Sequence, residues 1–95
     1  MSRDEHEYRV FPDYGADPVW AVDGMVDLDT LPISEDLITR LRAWNAAWEE
    51  LVGARQGRYE IIDQTGHERW LAEGRGLATW LERELGPDAR ITYNP

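Results

Sequence analysis

Asp23, Asp27 and Asp29 form the tightest group of acids outside any helical pattern in this sequence. Closely spaced carboxylates are hard oxygen donors and could hold calcium or magnesium. The D-x-x-x-D-x-D spacing does not support that chemistry. An EF-hand loop alternates its ligands and places glycine at the sixth position, and this stretch does neither. The expectation is no metal and no cofactor, with these acids acting as turn formers or as a charged surface.

Other reactive residue types are sparse. His6 and His67 are the only histidines, and His67-Glu68 lacks the second histidine four residues on that a zinc protease helix requires. His6 falls in a polar terminus expected to be loose, which is a poor place for a positioned base. His67 is expected in the exposed first turn of a helix. Ser2 and Ser34 are the only serines, and neither lies in a nucleophile-elbow sequence. The G-x-G at Gly74–Gly76 sits inside a helical pattern, so it cannot cradle phosphate. Glu82 and Glu84 point to different faces of that same pattern. The chain therefore reads as a non-enzyme.

Asn45 stands apart, because it falls within the apolar stripe of a helix, between Leu41, Trp48 and Val52. A buried amide must find partners or cost stability. It is expected to bond irregular backbone such as the 23–33 loop, with a ligand or partner contact as the other reading. Among the five tryptophans, Trp20 and Trp80 are expected to be partly exposed, and exposed Trp beside charge is favoured at protein interfaces.

The elements that must position these residues begin with Ser34 to Val52. Leu37, Ile38, Leu41, Trp44, Trp48, Leu51 and Val52 fall within one arc of roughly 140°. Trp48 is expected near the middle of this stripe. Ser34 can cap the helix, Glu35 and Asp36 meet the positive end of its dipole, and Gly53 can end it. A second helix is expected from about His67 to Leu85, with Trp70, Leu71, Leu77, Ala78, Leu81 and Leu85 on an arc of roughly 120°. Gly74 lies inside that arc, where a missing side chain admits another backbone, while Gly76 weakens the pattern.

Strands are shorter and harder to read. Val10-Phe11 and Val19 to Val22 are expected to pair as a hairpin, with Pro12 and the Asp13-Tyr14-Gly15 and Asp17-Pro18 turns between them. Asp23-Gly24 could turn the chain again, but Met25-Val26 is too short to count as a strand. Met25 to Ile33 reads as irregular. Tyr59 to Ile62 is either a short strand or a loop laid on the core, and Arg90 to Tyr93 is a last strand. The expected architecture is α+β: a small two-layer domain with two helices on a short sheet, in the order β-β-α-loop-α-β. The 95 residues make one domain, with 1–6 as its loose terminus.

Composition sets the class of partner. The formal net charge is −9, there is no cysteine and all ten basic residues are arginine. Residues 1–52 carry twelve acids and four arginines, a net of −8, whereas residues 53–95 carry seven acids and six arginines, a net of −1. Between Arg9 and Arg40 there is no base, but there are seven acids: Asp13, Asp17, Asp23, Asp27, Asp29, Glu35 and Asp36. Such a surface repels nucleic acid and anionic membrane and attracts basic proteins. No apolar run approaches the ~18–20 residues of a membrane span, and nothing resembles a signal peptide. A cytoplasmic setting fits.

The runs Phe11-Pro12-Asp13-Tyr14-Gly15, Pro18-Val19-Trp20, Leu31-Pro32-Ile33-Ser34 and Leu41-Arg42-Ala43-Trp44 resemble small acidic proteins of actinobacteria, as do Glu73-Gly74-Arg75, Leu77-Ala78 and Glu84-Leu85-Gly86-Pro87. The resemblance implies a bacterial, cytosolic, single-domain protein and assigns no catalytic residue.

The reading that follows is a protein-binding domain, such as an immunity protein, an antitoxin-like inhibitor or an adaptor, that turns an acidic face toward a basic protein. Its expected contact residues are Asp13, Asp17, Trp20, Asp23, Asp27 and Asp29. The alternative is a structural or self-associating subunit, a homodimer formed through Trp80 and the second helix.

Overall fold

A computed structural model describes residues 6–13, 15–51 and 64–93. The chain forms β1 (His6–Val10), β2 (Val19–Ala21), β3 (Gly24–Met25), a 3-10 turn (Leu28–Thr30), α1 (Glu35–Leu51), α2 (Gln64–Leu85) and β4 (Ala89–Tyr93). The strands form one mixed sheet in the order β3-β2-β1-β4. β1–β2 and β2–β3 pair antiparallel, while β1 and β4 run parallel. The class is the α+β fold expected from the sequence.

Alternation along the strands explains the layering. Val10 and Val19 stand opposite each other and are fully buried, whereas Glu7 and Arg9 are exposed. Tyr8 faces Ile91 and Val10 faces Tyr93 across the parallel pair, which puts these four on the helix side. Glu7 and Arg90 pair on the outer side at 3.9 Å. The core is Val10, Val19, Leu28, Leu37, Leu41, Trp44, Trp70, Leu77, Ala78 and Leu81.

Two tryptophans fasten the helices. Trp44 Nε1 donates to the Trp70 carbonyl at 2.8 Å, and Trp70 Nε1 donates to the Trp44 carbonyl at 2.8 Å. Their rings stack at 4.3 Å, almost parallel. The reciprocal bonds satisfy both indole donors inside the core, where an unpaired N–H would be costly. Gly74 makes room for the clasp: a Cβ there would meet Trp44 Cζ2 at 2.6 Å and also the Tyr93 hydroxyl. That hydroxyl donates to the Leu71 carbonyl at 2.6 Å.

Several expectations are corrected. Trp44, not Trp48, is the buried tryptophan of α1, because its ring and indole N–H are enclosed by the clasp with Trp70; Trp48 is half-buried and packs against the core from its edge. Side chains, not another backbone, occupy the space at Gly74. α2 starts at Gln64 and runs unbroken through Gly76, whose missing Cβ faces open space. His6 belongs to β1, since pairing with Ala89 extends the sheet, so the terminus is not loose through residue 6. The 1–5 part of that expectation lies outside the described residues.

The order gains a third strand. Gly24 adopts φ +132° and Gly24–Met25 pairs back onto β2, so the expected β-β-α-loop-α-β becomes β-β-β-α-α-β with a 3-10 turn before α1. Tyr59 to Ile62 lies outside the described residues. Among the described residues, no helix is long and apolar enough to cross a membrane.

Candidate functional site

Three acids of the first half converge on one guanidinium. Arg42, on the solvent side of α1, donates through Nε and Nη2 to the two carboxylate oxygens of Asp17, each at 3.0 Å. Nη1 and Nη2 also reach Asp29 at 3.5 and 3.4 Å, and Nη2 lies 3.6 Å from Asp27. Bidentate geometry with Asp17 is the strong form of such a pair, and the two longer contacts are weaker. One cation against three carboxylates leaves the cluster with two negative charges.

Local sequence explains why these acids meet. Asp17 also accepts from the Leu28 N–H at 3.0 Å, tying the turn before β2 to the 3-10 turn. Asp27 Oδ1 accepts from the Asp29 N–H at 3.0 Å and so caps that 3-10 turn. Leu28 is fully buried and plugs the turn into the core. The Arg42 hydrogen bonds, followed by the Leu28 N–H, hold the Asp17 carboxyl below the usual aspartate range against a smaller opposing effect of burial. Asp17 in turn raises the Arg42 pKa further.

Asn45, one turn along α1 from Arg42, is buried and fully engaged. Its Oδ1 accepts from the Asp13 N–H at 3.0 Å, and its Nδ2 donates to the Asp13 and Ala16 carbonyls at 3.0 and 2.9 Å. The amide therefore ties the backbone of Asp13 and Ala16 to α1, and not the 23–33 loop. Gly15, Ala16, Asp17, Met25, Asp27, Asp29, Arg42, Asn45, Ala46 and Glu49 line a shallow groove of about 410 Å³.

The expected contact residues are thus unequal. Asp17, Asp27 and Asp29 are gathered at the groove, and Asp29 and Asp27 remain well exposed. Asp13 is half-buried at the turn that Asn45 holds. Asp23 stands exposed in the turn between β2 and β3. Trp20 is half-buried: its ring stacks on Phe11 at 4.9 Å, and Arg9 lies 5.2 Å over Phe11. Among the described residues, no group of three or more acids or histidines is arranged to hold a metal ion.

Two residues prominent in the structure are not read as site residues from the sequence, where Glu84 is weighed only as a carboxylate pair with Glu82. Arg42 could have been found from its place one helical turn before Asn45, on the edge of the apolar stripe. Glu84 gave no such signal. It accepts from the Ser34 N–H and hydroxyl at 2.6 and 2.8 Å and from Trp80 Nε1 at 2.6 Å. Trp80 is half-buried in that contact.

A family model described as Serratia CdiI immunity protein-like matches residues 6–95. That match covers nearly the whole chain, and the chain belongs to this family. No curated protein matches it. Membership supports an immunity-type, protein-binding role.

Proposed function

We propose that this member of the Serratia CdiI immunity protein-like family binds a protein toxin and neutralises it in the bacterial cytoplasm, presenting the acidic groove around Arg42 to a basic surface. The observation that carries this reading is the three-carboxylate cluster, whose single guanidinium leaves it net negative. Asp17 and Arg42 hold one another and set the shape of the groove. Asp23, Asp27 and Asp29 supply the outward field, which steers a basic partner before contact. Asp13 shapes the adjoining turn through its backbone, and Trp20 stiffens the sheet behind it.

The test is recovery of the toxin domain with the full chain, followed by sedimentation of the purified pair and a growth-protection assay. The expected result is a defined complex and protection, both weakened by Asp23→Asn with Asp29→Asn. Asp27 is left intact because it caps the 3-10 turn. A chain that recovers no toxin, or protects equally well with both acids neutralised, would overturn the reading. Sedimentation also decides the self-associating alternative, since a parent dimer dispersed by Trp80→Ala would support it.

A further inference from the structure

Val22 and Met25 are the exposed large hydrophobic residues among those described, at 94% and 46% exposure. Both lie in the β2–β3 hairpin. Ala21 pairs with Gly24, which leaves Val22 and Asp23 as its two-residue tip. Neither tip residue takes a positive φ and Gly24 follows at φ +132°, so the turn accepts valine but gives no reason for an apolar side chain at its most exposed position. Val22 contributes almost no burial to the fold. Two exposed apolar side chains on one hairpin, one of them almost wholly in water, form a patch that a partner can cover.

We propose that the β2–β3 hairpin tip is the apolar anchor of the toxin interface, with Val22 as the residue that inserts and Met25 as its flank. This rests on the immunity-type reading above. The partner it fits is a protein with an apolar pocket rimmed by basic side chains. Asp23 shares the tip with Val22, and Asp27 and Asp29 follow directly after β3, so the apolar contact is edged by negative charge. A groove of about 350 Å³ beside Val22, walled by Trp20, Glu7 and Arg9, leaves room for a partner side chain.

Trp20 is a weaker candidate for the anchor, because its ring is already covered by Phe11. Strand addition at the hairpin edge is also disfavoured, since β3 offers only two residues of edge. A second copy would set Asp23, Asp27 and Asp29 against themselves on a chain of net charge −9. The anchor and the acids divide the work: apolar burial sets how slowly the complex comes apart, and charge sets how fast it forms.

The probe is the purified toxin domain that the full chain recovers, measured by surface-immobilised kinetics at low and physiological salt. Val22→Ser and Met25→Ser are compared with the parent and with Ala47→Ser, an exposed position on α1. Val22→Thr keeps the branched Cβ and guards against a local effect on the turn. Thermal melts of the Val22 variants should match the parent. Val22→Ser should raise the dissociation rate about tenfold or more at both salts, with Val22→Thr intermediate and the association rate nearly unchanged. Dissociation of both hairpin variants at the parent's rate would overturn the anchor while leaving the immunity-type reading in place. A parent that recovers no toxin domain would remove that reading and the anchor with it. A parent dimer dispersed by Val22→Ser would assign the tip to a second copy and overturn the proposal.

Discussion

Gly74 and Gly76 show how one residue type two positions apart can have opposite roles. A methyl group at 74 collides with the Trp44 ring and the Tyr93 hydroxyl, both held in place by hydrogen bonds. Gly74→Ala should therefore destabilise by about 1–3 kcal/mol through overpacking, despite the gain in helix propensity. Gly76→Ala meets nothing and should stabilise by about 0.5–1 kcal/mol. Chemical denaturation of the two variants checks both signs. Asn45 is the other residue with a large expected effect. Asn45→Ala strands the Asp13 N–H and the Asp13 and Ala16 carbonyls, and should cost about 1–3 kcal/mol. Amide hydrogen exchange should rise at Asp13 while the Trp44–Trp70 clasp stays protected. The sequence made Asn45 conspicuous, since an amide in an apolar stripe needs partners. It could not say which loop supplied them, because Asp13 and Ala16 lie 32 and 29 residues away.

At the scale of the elements, the start of α1 is held by two caps. Ser34 Oγ accepts from the Leu37 N–H at 3.2 Å in the ordinary way. The acid that would complete a capping box three residues on is replaced by Glu84 of α2. The Ser34 N–H and hydroxyl, with help from Trp80, hold the Glu84 carboxyl below the usual glutamate range. A carboxylate whose pKa is lower in the folded state stabilises above its unfolded value and loses that stability as pH falls through the folded one. Parent stability should thus decline more steeply than that of Glu84→Gln as pH drops through and below about 4.3. Thermal melts across that range check it, and parallel slopes would contradict it. Both helices were readable because their apolar stripes repeat over many turns. β3 was not, because two residues carry no periodicity, and its existence depends on Gly24 turning the chain back. The choice of Trp44 over Trp48 was equally hidden, since both lie on the stripe and only docking against α2 separates them. The Ser34–Glu84 contact spans 50 residues and left no local signature.

On the scale of the whole molecule, charge is the most legible property and also the one most changed by folding. The sequence places seven acids between Arg9 and Arg40 without a base. Folding then brings Arg42 across 25 residues onto Asp17 and within reach of Asp27 and Asp29. The acidic face is therefore a shaped groove with a cation at its centre, flanked by a hairpin with an apolar tip. The hairpin is built by the segment before α1, and the groove by that segment together with α1 residues Arg42, Asn45, Ala46 and Glu49. The most direct test is the association rate of parent and Asp23→Asn/Asp29→Asn chains with the toxin domain, by stopped flow at low and physiological salt. The parent rate should fall steeply as salt rises, and the double variant should be slower at low salt and less sensitive to it. A rate indifferent to both salt and substitution would contradict this expectation.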